Sequence, residues 1–189
     1  MPALYLSLGS NIGDRHALLL RAIDLLSRQV GRLVRASSFI QTEPWGYTSP
    51  HLYLNAAVLL HTTLTPHEAL AATQAIERHL GRTTKTPAVS PSSSLSSPHL
   101  SSSPAAAEPS SFGEDSLSSV LPLPPYSDRP IDIDILLYDD LRLSTPELTI
   151  PHPRMLQRDF VLRPLREILR SLPPGTPIPS TLPPAILSS

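Results

Sequence analysis

Residues 87–125 hold 14 Ser and 8 Pro, and no Lys or Arg occurs between Lys85 and Arg129. A stretch of that composition cannot bury enough apolar surface to offset its chain entropy, so disorder is expected there. The Pro-rich tail, LPPGTPIPSTLPPAILSS at 172–189, has similar character and carries the same expectation. What is left to fold, apart from the insert, is roughly 150 residues, which suits one domain with a true core.

Those residues show a definite element order. Ala3 to Leu8 alternates as a short strand, and the glycines of the GSNIG turn suit a tight strand-to-helix connection. Leu19, Ile23, Leu26 and Val30 then recur at helical spacing up to Gly31, which reads as a C′ residue. Leu33 to Thr42 and LYLNAAVLLHT read as strands, separated by the turn-rich loop EPWGYTSPH. Thr65-Pro66-His67-Glu68 is a capping box with Pro at N1, opening a helix whose apolar face is Ala69, Ala72, Ile76 and Leu80 and which stops at Gly81. RPIDIDILLY, residues 129–138, closes the series as a long strand. The order β-α-β-β-α-β predicts an α+β, ferredoxin-like sandwich, a mainly antiparallel sheet with both helices on one face. That arrangement serves many functions, so the function must be argued from side chains.

Composition excludes several classes. The net charge is −1 and charged residues make up 16%, with no basic excess for nucleic acid or an anionic membrane. The absence of cysteine removes disulfides, thiolate nucleophiles and zinc-thiolate sites, and leaves oxygen or imidazole as metal donors. The start, MPALYLSLGS, lacks a basic n-region and reads as a strand, and no later apolar run approaches bilayer length. A soluble, cytoplasmic protein is the expectation, with no nucleic-acid or membrane partner.

In the last strand, Asp132 and Asp134 share one face, about 7 Å apart along the chain, while Ile131, Ile133 and Ile135 point to the other. A D-x-D pair is most often a solvated sheet face, yet like charges beside hydrophobic residues call for a cation. Arg129, Arg82 and Lys85 are the sequence neighbours able to supply it. They are either simple ion-pair partners, or clamps on phosphate oxygens beside carboxylates that hold Mg²⁺. Asn55 stands inside an apolar strand on the face of Tyr53, with Trp45 and Tyr47 nearby. It is either a core amide satisfied by backbone, or the reader of a flat heterocycle stacked on an aromatic ring. His152, between two prolines, and Arg158 and Phe160 after it, either decorate a surface loop or face the same cavity. LGSNIGDR is not followed by Lys-Ser, so no P-loop cradles nucleotide phosphates.

Taken together, YLSLGSNIGDR (5–15), TEPWG with YLNAAV (42–58), the GR pair (81–82), RPIDIDILLY (129–138) and IPHPRM with RDFVLRPL (150–165) resemble the 6-hydroxymethyl-7,8-dihydropterin pyrophosphokinase family of folate biosynthesis. The resemblance covers nearly all of the chain outside the insert and tail. It implies one pyrophosphokinase domain over 1–171, acting as a monomer on small molecules. The implied reaction moves the β,γ-diphosphoryl group of ATP to the pterin hydroxymethyl oxygen and releases AMP. Two Mg²⁺ ions on Asp132 and Asp134, and phosphate stabilisation by Arg82 and Arg129 with help from Lys85, are implied with it. So is a pterin between Tyr53 and Phe160, read by Asn55 and by the backbone around Thr42 and Trp45. Gln74, Ile135, Thr149, His152 and Arg158 would contact ATP.

Departures stand beside the likeness. Family members join the two arginines by a short basic loop that closes over the substrates, whereas here the Ser/Pro stretch and YSDR fill that connection. Leu156 and Gln157 stand where the family often has His and Glu. A folded, active enzyme with slower lid closure is expected, because closure entropy grows only logarithmically with length. The competing reading is a ferredoxin-like domain that binds pterin or nucleotide without transferring phosphate. On the repulsive-pair view, removing either aspartate would leave the fold intact or more stable.

Overall fold

The computed structural model describes residues 1–83, 127–182 and 186; Lys85, the stretch 87–125 and the remaining tail positions lie outside the described residues. The elements in chain order are β1 (Ala3–Ser10), α1 (Arg15–Gln29), β2 (Gly31–Ala36), β3 (Ile40–Thr42), β4 (Tyr53–Thr62) and α2 (Pro66–His79), then β5 (Asp132–Tyr138), β6 (Leu143–Ser144), β7 (Thr149–Ile150) and α3 (Asp159–Arg170).

The main sheet has the order β2-β4-β1-β5, with β3 also paired to β4, and every pairing is antiparallel. This is the ferredoxin-like arrangement, with β1 and β4 at its centre. The expected second strand is broken: β2 ends at Ala36 and β3 starts at Ile40. Ser37 bridges the gap by accepting the Ala57 N–H on its hydroxyl at 2.9 Å, while its own N–H donates to the Ala57 carbonyl at 3.0 Å.

Helices α1 and α2 cover one face. Leu19, Ala22 and Leu26 of α1 and Ala69 and Ile76 of α2 pack on Leu4, Leu6, Leu8, Val58, Leu60, Ile131, Ile133 and Ile135. Each of the three isoleucines is at most 4% exposed, and such burial stabilises by about 2 kcal/mol per side chain. The capping box of α2 is present: Thr65 Oγ1 accepts the Glu68 N–H, and Glu68 Oε2 accepts the Thr65 N–H at 2.8 Å. Gly81 follows with φ +96°, the left-handed residue that ends the helix. Gly31 has a different reason from the C′ role expected of it. Its φ is not left-handed; instead a Cβ there would come within 2.4 Å of the His61 carbonyl oxygen, so only glycine lets β2 start against β4.

A third helix, unforeseen in the sequence, covers part of the opposite face. Val161, Leu162, Leu165, Ile168 and Leu169 of α3 pack with Tyr5, Ala57, Leu59, Leu136 and Leu137. The described part of the tail also departs from expectation, because Leu182 (7% exposed) and Ile186 (2%) join that cluster. Arg166 Nε donates to the Ile186 carbonyl at 3.2 Å. A register shift between Tyr5 and Leu6 leaves Leu136 as an extra residue in β5. The bulge changes the alternation: Ile131, Ile133 and Ile135 face α1 and α2, Leu136 and Leu137 both face α3, and Tyr138 returns to the first side.

Candidate functional site

The α3 face of the sheet becomes polar toward one end. Asn55 on β4 and Asp132 on β5 are both register partners of Gly9 on β1, so the three residues form a row across three strands. Gly9 was expected to serve the turn, yet it lies inside β1. A Cβ there would approach Asn55 Oδ1 to 3.0 Å and Tyr53 Cδ1 to 3.5 Å, so the missing side chain leaves a gap in the floor of the row. Asn55 is 2% exposed, and its Nδ2 donates to Thr42 Oγ1 on β3 at 2.9 Å. Its Oδ1 is therefore the amide atom turned toward Gly9.

The cationic compensation expected for the aspartates is present. Arg82, just past Gly81, is 6% exposed; its Nη1 donates to Asp132 Oδ1, to Glu77 Oε1 at 2.7 Å and to the Ile131 carbonyl at 3.5 Å. Arg129 Nη1 lies 3.4 Å from Asp132 Oδ2, and its Nε donates to the Tyr53 hydroxyl at 3.1 Å. Burial opposes the Arg129 charge, but Asp132, the Tyr53 hydroxyl and Asp134 more than offset it and hold the guanidinium above the ordinary arginine range. Arg158 Nη1 is 3.9 Å from Asp134 Oδ2. Its guanidinium lies 4.9 Å from the Trp45 ring centroid and 5.6 Å from that of Phe160, while its Nε is buried without a hydrogen-bond partner among the described residues.

His152 follows the Ile150–Pro151 peptide, which is cis, and its N–H donates to the Leu136 carbonyl at 2.9 Å. Burial pushes the imidazole below its ordinary range; Asp134 and Asp132 work against that shift, and Arg158 and Arg154 work with it. Both aspartates are near enough for their charge to act on the ring. Gln74, half-buried, lies one turn before Glu77 on α2, and Thr149 lies on β7 beside β5. The Ile135 side chain is not brought to the carboxylates, since it sits 4% exposed among the residues under α1 and α2. Its backbone is placed differently. Ile133 N–H points away from β1, to Glu77 Oε1 at 2.7 Å. By the alternation of an antiparallel ladder, the N–H and C=O of Ile135 point outward from the same edge.

Glu77, Asn11 and Asp128 went unassigned in the sequence, and Tyr47 was named only as an aromatic near Asn55. Glu77, 2% exposed, joins Arg82 to β5; its signal was a charged residue four positions after the buried Thr73, on the face that packs inward. Asn11, Tyr47 and Asp128 form a second group. Asn11 Nδ2 donates to Tyr47 Oη at 3.2 Å and to Asp128 Oδ1 at 2.6 Å, and Tyr47 Oη donates to the same Asp128 oxygen at 3.1 Å. Asn11 and Asp128 lie 117 positions apart, so no local pattern signals that contact.

Two carboxylates flanked by three arginines, beside an amide and three aromatic rings, make a face suited to a flat heterocycle at one end and polyphosphate at the other. Residues 5–93 and 113–170 match the family described as 7,8-dihydro-6-hydroxymethylpterin-pyrophosphokinase. A 2-amino-4-hydroxy-6-hydroxymethyldihydropteridine pyrophosphokinase of Porphyromonas gingivalis is 44% identical over 181 residues, covering 95% of this chain and 99% of the relative. The protein of that name from Bacillus subtilis is 34% identical, over 89% of this chain and 78% of its own length. A crystal structure described as HPPK-DHPS in complex with substrates superposes with a TM-score of 0.54 at 12% identity, over 89% of this chain and 40% of that one, which supports the fold alone. With the family pattern spanning most of its length and the Porphyromonas relative aligned nearly end to end, the chain belongs to the 7,8-dihydro-6-hydroxymethylpterin-pyrophosphokinase family.

Proposed function

We propose that the row Asn55–Gly9–Asp132 is where this chain transfers the β,γ-diphosphoryl group of ATP to the hydroxymethyl oxygen of 6-hydroxymethyl-7,8-dihydropterin, giving the pterin diphosphate and AMP. Pterin pyrophosphokinase activity, a step of folate biosynthesis, is that of the family to which the chain belongs. The observation that carries the assignment of the site is the shared register with Gly9. Two strand spacings separate Asn55 from Asp132, about 9.6 Å, so a bicyclic ring read by Asn55 ends over Gly9, beside the carboxylate.

On this reading the pterin stacks between Tyr53 and Phe160, with Asn55 Oδ1 and the backbone around Thr42 and Trp45 at its edge. Arg82 and Arg129 exchange part of their contact with Asp132 for phosphate oxygens. Their buried anchors, Glu77 and the Tyr53 hydroxyl, keep both guanidinium groups in place during that exchange. Arg158 and His152 line the ATP side with Gln74 and Thr149, and Ile135 contributes its outward backbone groups. Lys85 is assigned to phosphate from the family pattern.

The donor set fits magnesium. Asp132 and Asp134 keep 22% and 28% side-chain exposure on one face. Among the described residues no group of three or more His, Cys, Asp or Glu could hold a metal. Two carboxylates completed by substrate phosphates and water are the usual protein share of a Mg²⁺ site. Asp132 and Asp134 would hold two Mg²⁺ ions, which when bound neutralise triphosphate charge and lower the proton affinity of the attacking hydroxyl.

The test is AMP formation from ATP and Mg²⁺ with and without 6-hydroxymethyl-7,8-dihydropterin. Pterin-dependent AMP is expected. Folded protein that binds both substrates and releases no AMP would instead support a binding domain without transfer activity.

A further inference from the structure

We propose that Asp128 is a positioning residue for the pterin transfer: as the end acceptor of a one-directional hydrogen-bond chain, it fixes the Tyr53 ring and the Arg129 guanidinium relative to each other. The inference rests on the reading of Tyr53 as the pterin wall and Arg129 as a phosphate ligand.

The chain is continuous. Arg129 Nε lies 3.1 Å from Tyr53 Oη, Tyr53 Oη lies 2.9 Å from Tyr47 Oη, and Tyr47 Oη lies 3.1 Å from Asp128 Oδ1. Its direction is determined by its ends, because a guanidinium only donates and an ionised carboxylate only accepts. Each hydroxyl has one proton. Tyr53 therefore accepts from Arg129 and donates to Tyr47, and Tyr47 accepts from Tyr53 and donates to Asp128. Because Asp128 and Arg129 are adjacent in sequence, the chain closes into a ring that ties the loop between β3 and β4 to the lead-in of β5.

Asn11 holds that ring from below. Its Oδ1 accepts the Arg129 N–H at 2.8 Å, its own N–H donates to the Arg129 carbonyl at 3.2 Å, and its Nδ2 reaches both Tyr47 and Asp128. The backbone on both sides of Arg129 is thus fastened to the end of β1, and the Asp128 carboxylate is left to orient the two tyrosines. Burial works to raise the Asp128 carboxyl, but hydrogen bonds from Ser49, Asn11 and Tyr47 and the charge of His51 bring it below its ordinary range, as its acceptor role requires. His51 Nε2 lies 3.8 Å from Asp128 Oδ2, a second link from the same loop.

Without the terminal acceptor, Tyr47 and Tyr53 lose their fixed donor order, and Arg129 Nε loses a fixed partner. The consequence falls on the geometry between pterin and phosphate more than on ATP affinity, because Arg129 keeps its contact with Asp132.

The experiment measures steady-state kinetics of Asp128→Ala, Asp128→Asn and Tyr47→Phe, with pterin and ATP varied separately. Asp128→Ala should raise the pterin KM about tenfold and lower kcat about tenfold, the scale of one lost charged hydrogen bond, with a clearly smaller rise in the ATP KM. Asp128→Asn keeps an acceptor oxygen and should recover most of the loss, whereas Tyr47→Phe should reproduce it with the ring still in place. Unchanged pterin KM and kcat in both Asp128→Ala and Tyr47→Phe would overturn the proposal, as would equal rises in both KM values. If wild-type protein itself shows no pterin-dependent AMP release, the site reading fails; if wild type is active and these variants match it, only the role of Asp128 fails.

Discussion

Glu77 and Arg82 are joined in the protein interior: Arg82 Nη1 donates to Glu77 Oε1 at 2.7 Å, and the same oxygen accepts the Ile133 N–H at 2.7 Å. One carboxylate therefore fixes an arginine at the end of α2 and the edge strand that carries Asp132 and Asp134. Both side chains are nearly inaccessible to solvent. Removing the carboxylate takes a buried charged hydrogen bond from Arg82, which keeps Asp132, and takes the Glu77 acceptor from the Ile133 N–H, so Glu77→Ala should lose about 2–3 kcal/mol of stability. Urea denaturation measures this, and an unchanged midpoint would contradict the role given to Glu77.

Gly9→Ala tests the floor of the site. The added methyl would meet Asn55 Oδ1 at 3.0 Å and Tyr53 Cδ1 at 3.5 Å, both side-chain atoms of the end proposed for the pterin. Pterin affinity should fall at least about tenfold while ATP affinity holds, since only one methyl is added and the strand backbone is unstrained. Isothermal titration with each ligand separates the two, and equal affinity for pterin would contradict the placement.

The two aspartates should differ in their effect on stability. The sequence suggested a repulsive pair whose removal is neutral or stabilising; the structure pairs Asp132 with the buried Arg82 and with Arg129. Asp132→Ala should therefore cost about 1–3 kcal/mol. Asp134, whose contact with Arg158 is 3.9 Å long at a partly open position, should cost less than about 1 kcal/mol. Urea midpoints give the order, and a reversed order would contradict this electrostatic account.

Much of this was legible in the chain. The alternation of RPIDIDILLY placed its isoleucines and aspartates on opposite faces, and the capping box located α2. The bulge at Leu136 was not legible, because it depends on the partner strand and not on the local pattern. Helix α3 carries a clear apolar stripe in Val161, Leu165, Ile168 and Leu169, but Pro164 inside it and the prolines before it gave the segment the look of a loop. Glu77 was passed over because an acid on a helix usually marks the solvent side, and the Asn11–Asp128 contact joins residues that only the fold brings together.

The insert supplies a further prediction. The family match omits residues 94–112, and the site described above is built from residues on either side of the Ser/Pro stretch. Deleting 88–125 should preserve pterin-dependent AMP release. A folded deletion variant without activity would assign a function to the insert.

The most direct measurement is a single turnover of ATP labelled in the β-phosphate with 6-hydroxymethyl-7,8-dihydropterin and Mg²⁺, comparing wild-type protein with Asp134→Ala. The account predicts AMP and labelled pterin diphosphate in equal amounts from wild type, and a rate at least about a hundredfold lower from the folded variant, because the variant loses one of the two carboxylates proposed to hold magnesium. Equal rates in the two proteins, or labelled ADP as the wild-type product, would contradict it.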